Sequence, residues 1–313
     1  MHSFCFPLES FLRAVGQSKV DYFSLDIGGL DYSVLSIIPW DILDIQVLMV
    51  KTNKGTRNEI LKLMADMTRK WDDEELYLRV WEKGERISGN DPRLLQYIRD
   101  QVLIPPLSRD VPYKLADPRK QHFSQSQEQI IFLNESFGDS KGGFFIEAGA
   151  YDGETFSNTL WLERERNWTG LLIEPDSANF DTLMGKQRKS WLAHSCLSPV
   201  PYPQMMTLFG GKAVGEMIPG KQGNNEERNL VCFPLESLLV AIGQHNVDFF
   251  SLDIEGLDYD VLSNIPWDIL NIQLLMVETN KGTREEILDF MADKKYRHVK
   301  KIYVDDIFEK SYQ

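Results

Sequence analysis

The sequence predicts an α/β domain: a mostly parallel sheet of seven strands, closed by an antiparallel hairpin and preceded by a duplicated partial unit. Three observations predict it. Near-continuous apolar runs ending in an acid recur along the chain, as buried parallel strands do. Capped helical stretches lie between them. A segment near the N-terminus also returns near the C-terminus.

The repeat fixes the organisation. Cys5-Phe-Pro-Leu-Glu-Ser10 recurs as Cys232-Phe-Pro-Leu-Glu-Ser237, and the match runs without a gap to Asp66 and Asp293. About three quarters of the positions are identical, which marks a duplicated segment rather than a stacked-repeat solenoid. The expected division is a partial copy over 1–66, a linker and helix over 67–90, and a main domain over 91–313.

In chain order, Asp73–Lys83 is charged and predicted helical, and Gly84–Pro92 reads as a linker. Pro92–Val102 is helical until Pro105-Pro106 ends the pattern. Ser124-Gln-Ser-Gln127 is a capping-box pattern opening a helix over Ile130–Leu133. Phe144-Phe-Ile-Glu147 is the first strand of the main domain, and Leu171-Leu-Ile-Glu174 the second. Trp191–Leu197 is the third, and the repeat supplies two more, ending at Asp253 and Glu278. A short helix from Asp258 stops before Pro266, and Thr283 with Glu286 suggests a capping box. Val299–Val304 and Ile307-Phe308 form the closing hairpin.

Ligands bind outside the carboxyl ends of parallel strands, so Glu147, Glu174, Cys196, Asp253 and Glu278 are expected on one rim. Glu147-Ala-Gly149-Ala-Tyr151-Asp152-Gly153 is a strand, a glycine-containing turn and a helix start, able to offer bare backbone amides to a ligand. The alternative is a purely structural strand–helix turn. A carboxylate at Glu174 suits two ribose hydroxyls because it is acceptor-only. The turn lacks G-x-G-x-x-G, which disfavours a nicotinamide dinucleotide.

The chain resembles FkbM-type methyltransferases in Ile-Glu147-Ala-Gly-Ala-x-x-Gly153, Asp253-Ile-Glu255-Gly256 and Val-Glu278. Asp91-Pro-Arg-Leu-Leu, Ser124-Gln-Ser-Gln, Ser157-Asn-Thr-Leu and Asn167-Trp-Thr-Gly-Leu-Leu-Ile-Glu174 are similar to arthropod Star-like proteins. The resemblance spans roughly Asp91 to Lys310. It implies a Rossmann-like class I methyltransferase sheet and S-adenosyl-L-methionine as cofactor. Glu147, Gly149, Tyr151, Asp152, Gly153, Glu174, Pro175 and Cys196 are then the expected cofactor residues, with Glu174 on the ribose. Asp253 and Glu255 are the expected catalytic pair, placing or deprotonating an acceptor hydroxyl of a small molecule or glycan. Orientation of loops or cofactor is their alternative use. The Star-like likeness implies instead a non-catalytic role in endoplasmic reticulum, Golgi and endosomal trafficking, with a membrane-bound growth-factor precursor as cargo.

Composition narrows the partners. A net charge of −13 and a pI near 4.9 disfavour a nucleic-acid partner. Three cysteines without CxxC or Cys/His spacing predict no metal centre and no disulfide framework, and fit a reduced compartment. Asp253, Glu278 and Asn280 can present oxygen ligands to a divalent cation, a lesser expectation for these residues. No apolar run approaches the length of a bilayer span, and Met1–Pro7 does not read as a signal peptide, so the expected location is cytoplasmic. Asn134-Glu-Ser136 and Asn167-Trp-Thr169 match the glycosylation pattern.

The N-terminal copy differs where the chemistry lies. Asp26-Ile-Gly28 stands for Asp253-Ile-Glu255, and Lys51 for Glu278. It also lacks a glycine turn before it, so it is not expected to form a cofactor site.

Overall fold

The structure is a computed structural model and describes residues 19–25, 35, 44–50, 86–211, 214–219 and 228–311. The chain divides into two compact units, Met1–Leu78 and Arg79–Gln313.

The second unit begins with α1 (Pro92–Tyr97), capped by Asp91, whose carboxylate accepts from the Arg93 amide, with Pro92 in the first turn. One π-helical stretch (Ile98–Val102) leads into a two-residue strand, β3 (Leu103–Ile104). Helix α2 (Gln127–Phe137) follows. Its capping box is built by Ser126 and Gln129, two residues later than the pattern at Ser124 suggested. The parallel strands then alternate with helices: β4 (Phe144–Ala148), α3 (Leu160–Glu165), β5 (Thr169–Ile173), α4 (Ser177–Gly185) and β6 (Trp191–Ala193). After an excursion come α5 (Leu235–Ala241), β11 (Asn246–Leu252), α6 (Asp258–Asn264), β12 (Asn271–Glu278) and α7 (Arg284–Asp293). Thr283 is the N-cap of α7, but its side chain makes no capping bond. The hairpin β13 (Tyr296–Ile302) and β14 (Asp305–Lys310) ends the sheet.

Among the described residues the main sheet has eight strands in the order β13-β14-β12-β11-β4-β5-β6-β3. Five central strands are parallel, while β14, β13 and β3 run antiparallel to their neighbours. The sheet has one additional short edge strand, β3, beyond the seven expected. The pleat sorts the core. Phe144, Ile146 and Ala148 pack with Phe250, Leu252 and the helices α1, α5, α6 and α7 on one face. Phe145, Leu172 and Phe249 pack with α2, α3 and α4 on the other. Burial on both faces explains why these strands read as continuous apolar runs.

The excursion was not visible in the sequence pattern. The expected third strand, Trp191–Leu197, breaks at His194-Ser195. Its second half becomes β7 (Cys196–Leu197), which leaves the main sheet. With β8 (Gln204–Gly211), β9 (Val214–Pro219) and β10 (Arg228–Phe233) it forms a four-stranded sheet in the order β7-β10-β8-β9. Cys196 and Cys232 lie opposite each other in parallel strands and are joined by a disulfide, with Cα atoms 4.4 Å apart. This overturns the expectation of reduced cysteines.

In the first unit, β1 (Lys19–Leu25) and β2 (Asp44–Val50) pair in parallel, Lys19 opposite Asp44. Their counterparts β11 and β12 pair in the same register, Asn246 opposite Asn271. The duplicated sequence therefore retains both the strand pair and its offset. The helix expected over Asp73–Lys83, and Cys5, Asp26, Gly28 and Lys51, lie outside the described residues.

One buried ion pair braces the α2–α4 face. Arg188 and Glu163 meet at 3.1 Å with both side chains fully buried. Arg188 also donates to the Gly153 carbonyl and the Thr159 hydroxyl, while Glu163 accepts from the Lys189 amide and the Ser190 hydroxyl. Removing one partner strands a charge in low dielectric, so Arg188→Ala is expected to cost about 3–5 kcal/mol. Urea unfolding of the intact chain checks this, and an unchanged midpoint would contradict it.

Candidate functional site

In chain order the sheet grows from β4 through β5 and β6 to one side, then returns to β11 and β12 on the other. The strand order therefore reverses between β4 and β11, where a crevice opens at the carboxyl ends of an open α/β sheet. Gly149 follows β4 and Asp253 follows β11. A Cβ on Gly149 would lie 1.9 Å from the Asp253 carbonyl oxygen, and its φ is +84°. The Asp253 amide in turn donates to the Ala148 carbonyl. Glycine is required here because the two strand ends touch.

A cleft lies beside this contact. Gly149, Tyr151, Glu174 and Pro175 line one side, Asp253 and Glu255 another, and Leu208 and Met217 of the excursion a third. Cys196 also lines it, so that predicted residue does face the cleft, although as half of a disulfide in the second sheet. The structure thus brings together six of the predicted residues besides Cys196: Gly149, Tyr151, Glu174, Pro175, Asp253 and Glu255.

Glu147, Asp152 and Gly153 do not line the cleft, and their local bonding shows why. Strand alternation places Glu147 on the same face as Phe145, toward α3. Its buried carboxylate accepts from the Ser157 and Thr159 hydroxyls at 2.9 and 2.6 Å and from the Asn158 amide at 2.7 Å. It ties β4 to the entry of α3. Burial raises its pKa, opposed by Arg188 and these donors. Asp152 accepts from the amides of Glu154 and Thr155, closing the turn. Gly153 has φ +73°, and a Cβ there would meet Leu183 of α4 at 2.3 Å. For these three residues the structural alternative describes the observed contacts.

Glu174 combines both kinds of role. One carboxylate oxygen accepts from the Tyr151 amide at 2.8 Å, which holds the turn after β4. The other accepts from the Asp176 amide and the Asn179 side chain. A carboxylate has about four acceptor positions; three are used here, and the oxygen facing Tyr151 keeps one free. Burial pushes its pKa up to about 7 against those donors.

On the other side, Asp253, Glu255 and Glu278 each offer an oxygen within 4.8 Å of the others. Glu255 has a left-handed backbone (φ +60°) and pairs with Lys281 at 2.6 Å. Glu278 ends β12 and is buried, and its Oε2 has no hydrogen-bond partner. Burial and the neighbouring Asp253 carboxylate push its pKa up to about 9, while burial raises Asp253 as well. Burial similarly lifts Asp258 and Asp305 to about 7. His194 is exposed and stacks on Phe180 with ring centroids 4.8 Å apart.

Sequence comparison identifies the region that carries this geometry. Residues 147–298 match the methyltransferase FkbM domain. The matched region begins at Glu147 of β4 and runs into β13, so it contains the turn, Glu174 and all three clustered acids. No curated protein matches the chain in sequence. Among solved structures, the chain is similar to methyltransferase FkbM from Methylobacillus flagellatus, with 13% identity over 55% of this chain and a TM-score of 0.35. The alignment spans 44% of that enzyme's length. It is also similar to the N-terminal domain of human METTL16 (11% identity, 71% of this chain, 83% of that chain, TM-score 0.37). A third is Haemonchus contortus phosphoethanolamine N-methyltransferase 2 in complex with S-adenosyl-L-methionine (10%, 92%, 68%, TM-score 0.26). Among the described residues, no helix is long and apolar enough to cross a membrane.

The buried acids set a pH dependence of stability. Glu174, Asp258 and Asp305 titrate near 4 in an unfolded chain and at about 7 in the fold. The fold therefore binds more protons across that interval, and their contribution, complete below it, is lost as pH rises through 7. Arg93 holds Asp91 below its ordinary value, and Arg284, Thr279 and His298 hold Asp306 low despite its burial. Those two contributions fail only in acid below the ordinary carboxylate range. Thermal stability is expected to peak near pH 5 and to fall by several degrees at pH 8; calorimetry showing a steady rise from pH 5 to 8 would refute this.

Proposed function

We propose that this chain is an S-adenosyl-L-methionine-dependent methyltransferase whose cofactor lies in the cleft between Glu174 and Asp253. The observation that carries the reading is the position of that cleft at the β4–β11 reversal, within the region matching the FkbM domain. The donor set fits the cofactor: Glu174 keeps a free acceptor position for the ribose hydroxyls, and Leu197, Leu208 and Met217 present an apolar wall for a purine face. The closed part of the cleft is about 80 Å³, smaller than a typical ligand pocket, so the β8–β9 wall must yield for full entry.

The bound cofactor supplies an electrophilic methyl group on a sulfonium. Tyr151 and Gly149, tied by backbone bonds to Glu174 and Ile173, hold one side of the cleft fixed. Asp253 and Glu255 hold the acceptor side, where Asp253 takes the proton of an acceptor hydroxyl as the oxygen attacks. O-methyl transfer follows from that pairing of a nucleophilic oxygen with a carboxylate base. Proximity supplies most of the rate.

Titration calorimetry with S-adenosylhomocysteine tests the reading. One-to-one binding is expected, weakened at least tenfold by Glu174→Ala. Glu174 must be ionised to accept the ribose hydroxyls, so with a pKa of about 7 the affinity should be roughly tenfold lower at pH 6 than at pH 8. Absence of binding to the intact, folded chain would end this proposal.

A Star-like trafficking role in the secretory pathway is a second reading, favoured by one observation. The Cys196–Cys232 disulfide suits an oxidising lumen. Asn167, in a glycosylation sequon, is exposed at the turn before β5 with φ +58°. Expression through a eukaryotic secretory route should then yield a glycan at Asn167, removable by endoglycosidase and detected by mass spectrometry. An unmodified Asn167 together with free thiols at Cys196 and Cys232 would remove this reading.

A further inference from the structure

The acidic cluster on the acceptor side has more carboxylate than its protein partners satisfy. Asp253 follows β11, Glu255 sits in the next turn, and Glu278 closes β12, so three segments deliver one oxygen each to a common point. Glu278 is only 6% exposed, yet its Oε2 meets no donor. The groups facing the cluster are few. Lys281 pairs with Glu255 at 2.6 Å, and the Gln125 amide reaches Asp253 at 3.5 Å. Lys281 balances the Glu255 carboxylate, while the Glu278 carboxyl faces Asp253, which helps to push its pKa up to about 9.

We infer that Asp253, Glu255 and Glu278 form a binding site for one hard divalent cation. The ligand set is all oxygen, which selects hard cations over zinc or copper. The oxygens lie within 4.8 Å of one another, close enough for one cation to meet all three. The N-terminal copy provides an internal contrast: it keeps the first ligand as Asp26 but has Gly28 and Lys51 in place of the other two. The duplicated strands therefore persist without the ligand set.

Asp253 and Glu255 also line the cofactor cleft, so open coordination positions face it and can take an acceptor oxygen. That last placement rests on the methyltransferase reading; the cation site itself does not. Calorimetry and thermal denaturation of the full chain with Ca2+, Mn2+ and Mg2+ after chelator treatment test it. Expected are one Ca2+ per chain, a raised thermal midpoint, and at least a tenfold loss of Ca2+ affinity in Glu278→Gln and in Asp253→Asn. Glu165→Gln, an exposed acid on α3, should bind Ca2+ as the parent does. Should Glu278→Gln fail to fold, the Asp253→Asn comparison and the calcium-dependent midpoint of the parent decide. No stoichiometric Ca2+ binding at millimolar concentration, or binding untouched by these substitutions, overturns the site. S-adenosylhomocysteine binding measured in chelator reports separately on the methyltransferase reading.

Discussion

Among the described residues the closest constraint is the meeting of two strand ends, where the residue after β4 sits against the carbonyl of the residue after β11. Only a residue without a Cβ fits, because even a methyl group would enter the bonding distance of Asp253 O. That contact fixes the separation between the two sides of the cleft, Tyr151 and Glu174 on one and Asp253 and Glu255 on the other. It also passes any displacement of one side directly to the other, since the Asp253 amide is bonded back to Ala148. The functional reading, the acceptor geometry and the cation cluster all depend on this single junction.

Acids at the ends of the parallel strands divide the work by pleat and neighbour rather than sharing one task. Glu147 faces α3 and is consumed by Ser157, Asn158 and Thr159. Glu174 both fastens the first turn and keeps an acceptor position. Asp253 and Glu278 stand close enough that the Asp253 carboxylate adds to burial in raising the proton affinity of Glu278. Identical residue types at equivalent strand ends thus become a brace, a clamp and a cluster, depending on which hydrogen-bond donors the local backbone brings.

Much of this fold was legible because its strands are buried on both faces. Continuous apolar runs located β4, β5, β11 and β12, and the duplicated segment located the pair β11–β12 a second time. The turn glycines and Glu174 were also visible, although the backbone and side-chain contacts that Gly149 and Gly153 make with Asp253 and Leu183 were not. What stayed hidden is long-range. Nothing within Trp191–Leu197 indicates that the chain leaves the sheet at His194, because the partner of Cys196 lies 36 residues further on. The direction of Glu147 was likewise unreadable, since it depends on pleat parity and on hydroxyls ten to twelve residues away.

The disulfide has a topological result beyond its local packing. Cys196 and Cys232 bracket the whole β8–β9 hairpin and the start of β10, making that excursion a covalent ring hung on the cleft's edge. A peptide bond cut anywhere inside the ring leaves both fragments attached. A nicked molecule therefore migrates as one piece until a reductant opens the bridge, and its cleft wall stays tethered at both ends.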